Sequence, residues 1–312
     1  MNEAMNMVLR RRFFAEELEA VCKLRSPALV DAFAAVPRER FLRPGPWEVL
    51  SEADLGSGIR TRTTADADPA RVCHNIAVGI DPSRQLFNGQ PGTIGVWIDA
   101  LELAPGARVL HVGCGLGYYA AVMAHCVGPS GRVVAFEVDE TLASEARQNL
   151  ASMSWVSAQQ GDASQMAGEI FDAMLINAGM THPLDAWLDA LAPGGRMILP
   201  LTATLAAMGP TLGKGLVLVI TKEDQASLSA RVLSFVAIYS AVGLRDNDLN
   251  DRLGKAMLGG PQQWQTIARI RRDRHEASAS CWLPPTRSVL RRPESVQSSS
   301  CHISSPRFRS AR

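Results

Sequence analysis

The chain has 312 residues, of which 46% are hydrophobic and 20% charged, and its formal net charge is +1. That composition suffices for a buried core, and it carries no bulk charge excess to draw the chain to nucleic acid or to an acidic membrane surface. The six cysteines contain no Cys-x-x-Cys pair and no zinc-type spacing; they point to neither a disulfide framework nor a metal site, and they fit a reducing, cytoplasmic setting.

Residues 8–40 read as helical, with Glu16, Glu17 and Glu19 mixed with Leu18, Val21 and Leu24 at helical spacing. Ser26 and Pro27 look like an N-cap and first-turn pair opening a second helix over 28–36, which Pro37 ends. Arg10, Arg11 and Arg12 are followed by no apolar run, so no signal peptide is expected. Residues 44–90 are rich in turn formers, with one short strand expected at 71–78. The middle of the chain then alternates. A helix is expected over 93–103, a strand over 108–112, a helix over 118–126, a strand over 132–138 and a helix over 140–151. Strands follow at 155–159 and 171–176, a helix at 184–191, and strands at 196–199, 216–221 and 231–239. The apolar stretch 195–220 is broken by Pro200 and Pro210 and holds Arg196 and Lys214, so no membrane span is expected.

Strands alternating with helices at this spacing imply an α/β fold: a Rossmann-like, doubly wound, mostly parallel sheet with helices on both faces and a helical N-terminal extension. The expected division is an irregular and helical extension over 1–90, the main domain over 91–240, and a helical extension over 241–283. A Ser-, Arg- and Pro-rich tail over 284–312 has too little apolar material to fold and is expected to be disordered.

Residues 109–118 read VLHVGCGLGY, the end of a strand and the opening of a helix. Glycines there let the backbone turn and let a ligand approach without meeting a Cβ. Ligands of open α/β sheets bind beyond the carboxyl ends of the strands. The pattern is GxGxG, with Tyr118 where the dinucleotide fingerprint has its third glycine, and no Walker lysine follows. Such a loop suits a nucleoside without a pyrophosphate. Glu137 closes the next strand, about 20 residues on, where an acid can accept from both ribose hydroxyls. Asp162, in Gly161-Asp162-Ala163 after the following strand, can accept from an adenine amino group.

These residues resemble the class I methyltransferases and, more narrowly, the protein-L-isoaspartate O-methyltransferase family. Pro37 to Phe41 is similar to that family's "VPRxxF" signature, Gln90-Pro91 to the end of its "SQP" element, residues 103–110 to "LxPGxRVL", Gly113 to Tyr118 to "GxGxGY", and residues 191–196 to "LxPGGR". The resemblance implies S-adenosyl-L-methionine as cofactor. Gly113, Cys114, Gly115, Gly117 and Tyr118 would lie along it, Glu137 would hold its ribose, and Asp162 with Ala163 would flank its adenine. Gln90, His111 and Asn177 complete the implied set. Three departures stand out. Gly89 occupies the position of the family's active-site serine, His111 that of an acid usual before the glycine loop, and residues 177–183 replace a short apolar-Pro segment.

A carboxylate acceptor is already ionised near neutral pH and needs no general base. A hydroxyl or amine acceptor would use one. Asn88, Gln90 and His182 are the catalytic candidates, and no metal site is expected. Trp97, Trp155 and Trp187 are read as packing residues. The expected activity is methyl transfer to a protein or peptide carboxyl. The alternatives are a different carboxyl, peptide or small-molecule acceptor, or cofactor binding without catalysis. The oligomeric state cannot be read from the sequence.

Overall fold

The computed structural model describes residues 3–50, 60–84, 86–166, 168–204, 211–225, 227–272, 281–283 and 289–291. They fall into two compact units, Met1–Asp162 and Ala163–Arg312. In the first, helix α1 (Glu3–Cys22) ends where Lys23 takes a positive φ of 55°. Helix α2 (Pro27–Ala35) opens as its sequence requires: Pro27 occupies the first turn and the Ser26 hydroxyl accepts from the Leu29 N–H at 3.3 Å. Phe33 of α2 meets Phe14 of α1 edge-on, with ring centroids 6.1 Å apart.

Two small antiparallel hairpins follow, β1 (Glu48–Leu50) with β2 (Thr61–Thr63) and β3 (Gly79–Asp81) with β4 (Leu86–Phe87). The strand expected at 71–78 does not form. Pro69 opens a 3-10 turn over Pro69–Val72 instead, and the Asp68 carboxylate accepts from the Ala70 N–H at 2.9 Å. An Asp cap with Pro behind it favours a helical turn over extended backbone.

Then come α3 (Pro91–Leu101), β5 (Arg108–Val112), α4 (Tyr118–Val127), β6 (Arg132–Glu137), α5 (Glu140–Leu150) and β7 (Val156–Gln160). Each lies within two or three residues of its expected bounds. Strands β5, β6 and β7 are parallel neighbours in that order, with Leu110 opposite Val134 and Val134 opposite Ser157. Their carboxyl ends therefore share one edge. From α3, Asp99 reaches back to the α1–α2 turn. Its Oδ1 accepts from the Arg25 and Ser26 N–H groups at 3.0 and 2.9 Å, and its Oδ2 from Arg25 Nε at 3.1 Å.

The second unit holds β8 (Phe171–Ile176), α6 (Asp185–Ala190), β9 (Leu191–Thr204), β10 (Leu212–Lys222) and β11 (Leu228–Tyr239). Strands β8 and β9 are parallel, with Met174 opposite Met197. From β9 onward the direction alternates. The link between β10 and β11 is too short for a crossover helix, so only an antiparallel return is possible. The strand expected at 196–199 is longer at both ends, because β9 runs through Gly194, at a φ of 78°, rather than starting after it. Helix α7 (Asn247–Met257), capped by Asp246, and the single turn α8 (Pro261–Trp264) precede three short strands, β12 (Arg269–Arg271), β13 (Cys281–Leu283) and β14 (Val289–Arg291). The order from β8 outward is β8-β9-β10-β11-β12-β14-β13. Of the stretch 284–312 expected to be disordered, residues 289–291 form β14, and the rest lies outside the described residues.

All three tryptophans read as packing residues do pack. Trp97 and Trp187 are fully buried. Trp155 and Trp187 donate their indole N–H groups to the carbonyls of Ala124 and Ala163 at 3.0 and 3.1 Å. Among the described residues, no helix is long and apolar enough to cross a membrane.

Asp99→Ala leaves two backbone N–H groups without their acceptor and is expected to lower the unfolding free energy by about 2–4 kcal/mol. Ser26→Ala removes one cap and is expected to cost about 1 kcal/mol. Urea denaturation of both variants checks this ranking, and equal losses would contradict it.

Candidate functional site

Beyond β5 the chain bends through Gly113, Gly115 and Gly117, with φ of 75°, 54° and 93°. At Gly117 two constraints coincide. The left-handed backbone disfavours any side chain, and a Cβ would stand 2.9 Å from Leu150 Cδ1. The bend is fastened to the end of β6: the Gly113 and Cys114 N–H groups both donate to the Phe136 carbonyl, at 2.9 and 3.0 Å. Cys114 is buried, and burial raises its thiol pKa well above the ordinary value, with Glu137 adding to the shift. It is an inert small side chain that fits the turn.

Glu137, half-buried at the end of β6, touches both neighbouring loops. Its Oε2 accepts from the Gly115 N–H at 2.8 Å. Its backbone carbonyl accepts from the Gly161 N–H at 3.0 Å, and Asp162 follows as an exposed residue. The glycine bend, Glu137 and the 161–162 turn, expected from sequence to meet at successive strand ends, are thus joined directly. Oε1 accepts from the Asp139 N–H at 3.2 Å. A carboxylate offers about four acceptor positions, so two protein donors leave room for two more. Asp139 caps α5 through the Leu142 N–H and takes a 2.6 Å bond from Arg84; together these hold its carboxyl below the ordinary range.

Tyr118 begins α4 but turns its ring inward. The ring lies against Phe33, Phe41 and Tyr119, and the Arg38 guanidinium stands 5.8 Å from its centroid. Only the backbone of Tyr118 is available to the bend. His111, two residues before Gly113, is fully buried, and neither ring nitrogen has a hydrogen-bond partner among the described residues. Burial pushes its pKa down to about 3, so the ring stays neutral.

The segment Asn88-Gly89-Gln90 is held from three sides. The Asn88 N–H donates to the Val78 carbonyl at 2.7 Å. Gln90 Nε2 donates to the Asn75 carbonyl at 3.1 Å, while Asn75 Oδ1 takes the Gly92 N–H at 2.7 Å. The Gly89 carbonyl accepts from Arg38 Nη2 at 3.3 Å and from the Tyr119 hydroxyl at 3.1 Å. Arg38 also donates to the carbonyls of Val72, His74 and Ile76, at 3.1, 3.2 and 2.7 Å. Sequence reasoning placed Arg38 in a motif without giving it work, and it missed Asn75 and Tyr119. Their roles are tertiary, and no local pattern marks them.

In the second unit Ala163 is buried, and its carbonyl serves Trp187. Asn177, half-buried, follows β8. His182 is buried, with Nδ1 2.9 Å from Thr181 Oγ1, and Thr181 Oγ1 accepts from the Asp246 N–H at 3.1 Å. The other ring nitrogen, Nε2, has no hydrogen-bond partner among the described residues. Burial lowers the His182 pKa, against a partial rise from Asp246. Among the described residues no group of His, Cys, Asp and Glu is arranged to hold a metal ion.

Residues 69–230, just over half of the chain, match the family described as Protein-L-isoaspartate(D-aspartate) O-methyltransferase (PCMT). A Methylorubrum extorquens protein-L-isoaspartate O-methyltransferase is 33% identical over 230 residues, 72% of this chain and 85% of that protein. A Methanopyrus kandleri protein of the same name is 29% identical over 195 residues, 61% of this chain and 76% of that one. Two solved structures show the same fold. One, a protein-L-isoaspartate O-methyltransferase, has a TM-score of 0.54 at 19% identity, covering 93% of this chain and 87% of its own. The other, a Plasmodium falciparum protein described as a beta-aspartate methyltransferase (PCMT) in complex with S-adenosyl-L-homocysteine, has a TM-score of 0.54 at 17% identity, covering 74% and 97%.

His111 generates a pH test. Its ordinary pKa is 6.5 and its folded value about 3. Between the two, the unfolded chain binds a proton that the folded chain does not, so stability rises with pH across this window and falls on acidification. Denaturant unfolding measured from pH ~7 down to ~4 is expected to show this loss, and His111→Leu to flatten it. An unchanged slope in the variant would contradict the assignment.

Proposed function

Because the chain belongs to the protein-L-isoaspartate(D-aspartate) O-methyltransferase family, we propose that it transfers a methyl group from S-adenosylmethionine to a carboxylate, first of all that of an isoaspartyl residue in a peptide. One observation carries this reading: Glu137 bonds to the glycine bend with its side chain and to the 161–162 turn with its carbonyl. The donor and acceptor set suits an adenosyl group. The bend offers backbone without Cβ atoms, Glu137 keeps acceptor capacity for two hydroxyls, and nothing in the bend is built for a pyrophosphate.

In this reading Glu137 holds the ribose, the backbone of Gly113, Cys114, Gly115, Gly117 and Tyr118 lines the ligand, and Asp162 faces the adenine. Ala163, His111, Gln90 and Asn177 are assigned by their position in the sequence. The cofactor supplies an electrophilic methyl on a sulfonium whose leaving group is a neutral thioether. The protein's work is alignment: the Arg38, Tyr119 and Asn75 bonds fix the backbone of residues 88–90, on which an acceptor would rest. Holding two reactants in line can remove several kcal/mol of the barrier. A carboxylate acceptor is ionised at neutral pH, so no residue need act as base. We further assign 91–240 as the cofactor-binding region, flanked by 1–90 and 241–283. A cytoplasmic setting is supported by the buried thiols Cys73, Cys114, Cys126 and Cys281.

A second acceptor is favoured by Gly89. Its φ is 65°, and a Cβ there would stand 3.1 Å from Ile94 Cγ1. The loop is shaped around glycine, so an acceptor other than an isoaspartyl peptide would meet no hydroxyl at this point. Methyl release from an isoaspartyl peptide distinguishes the two. Turnover supports the first reading, and cofactor binding without turnover overturns it. Gly89→Ser is expected to cost about 1–2 kcal/mol of stability from its left-handed backbone. If it also creates isoaspartyl activity absent from the parent, the second reading stands.

A further inference from the structure

Helix α1 carries apolar residues on two opposite sides. Phe14, Ala15 and Leu18 face inward and are buried. On the outward side Leu9, Phe13 and Ala20 fall on one line, at steps of four and seven residues. Phe13 is 70% exposed and Leu9 52%, with Val8 and Val21 exposed beside them. A stripe of this kind on a helix is more than scattered surface apolarity.

The charges along the stripe are segregated. Arg10, Arg11 and Arg12 precede Phe13, and Glu16, Glu17 and Glu19 follow it. Arg11 pairs with Glu39 at 2.8 Å and Arg12 with Glu16 at 2.9 Å. Arg10, Glu17 and Glu19 make no ion pair among the described residues.

We propose that this face joins a second copy of the chain, α1 against α1, antiparallel about a two-fold axis near residues 14 and 15. In that register each Arg10 approaches Glu17 of the second copy along one edge of the stripe, each Arg12 approaches its Glu19 along the other, and the two Phe13 rings lie side by side, bracketed by Leu9 against Ala20. The surface is self-complementary, as an isologous contact requires. A parallel pairing would set Arg on Arg and Glu on Glu. An anionic lipid surface would be repelled by the three glutamates along the same face. Each helix has 20 residues and is therefore about 30 Å long. A contact of that length is modest for a specific interface, so the dimer is reversible on dilution.

Sedimentation velocity of the 312-residue chain over a dilution series tests this. The expected result is a monomer–dimer shift that Phe13→Asp abolishes. Arg10→Glu and Glu17→Arg should each weaken the dimer by about tenfold, since each turns two pairs repulsive. Mixing these two variants in equal amounts should restore a heterodimer, because each supplies the charge the other has lost. All three positions are exposed, so thermal melting should match the parent and exclude misfolding. A chain monomeric throughout, a dimer indifferent to Phe13→Asp, or charge variants whose mixture does not recover would overturn the proposal. So would a monomer that instead pellets with anionic vesicles through this face.

Discussion

Glu137 accepts from Gly115 with its carboxylate and from Gly161 with its carbonyl, and the geometry of the strand ends depends on that pair of bonds. The bend after β5 has no side chain of its own with which to hold a shape. Its glycines are there because the backbone enters left-handed regions and because Leu150 leaves no space for a Cβ at Gly117. Such a bend loses more conformational entropy on ordering than any other sequence would. The Phe136 carbonyl and the Glu137 carboxylate offset that loss by accepting three of its N–H groups.

The other side of the region depends on Arg38. Residues 72–89 run mostly without regular strand pairing, so their carbonyls need donors from elsewhere. A single buried guanidinium supplies four of those bonds, and the Tyr118 ring lies against it. A lysine could not span them, because its donors converge on one atom. Since Tyr118 and Tyr119 open α4 directly after the bend, Arg38 and the Tyr119 hydroxyl couple the backbone at Gly89 to the helix that the glycine bend begins.

The run from β5 to β7 was legible because local signals agree there. The strands are short apolar runs closed by turn residues, the helices carry caps such as Asp139, and the spacing leaves one arrangement for each. The glycine bend and Glu137 could be named for the same reason. Elsewhere the deciding physics was not local. Residues 71–78 look like a strand until Asp68 and Pro69 are allowed to cap a turn. Strand β9 runs on through a Pro-Gly-Gly sequence that reads as a boundary; its pairing with β8 resumes after a register shift there, from Leu191 opposite Phe171 to Arg196 opposite Ala173. The ring of Tyr118 is drawn into the interior by Phe33 and Phe41, which leaves only its backbone at the bend. The contact of His182 Nδ1 with Thr181 is likewise invisible to any periodicity.

Isothermal titration of S-adenosylhomocysteine into the parent chain and into Glu137→Ala bears most directly on whether Glu137 organises an adenosyl site. Two hydrogen bonds from ribose hydroxyls to a charged acceptor contribute about 1.5–3 kcal/mol each, so the variant is expected to bind more weakly than the parent by roughly 100-fold or more. Equal affinity in the two proteins, with the variant still folded, would contradict the assignment.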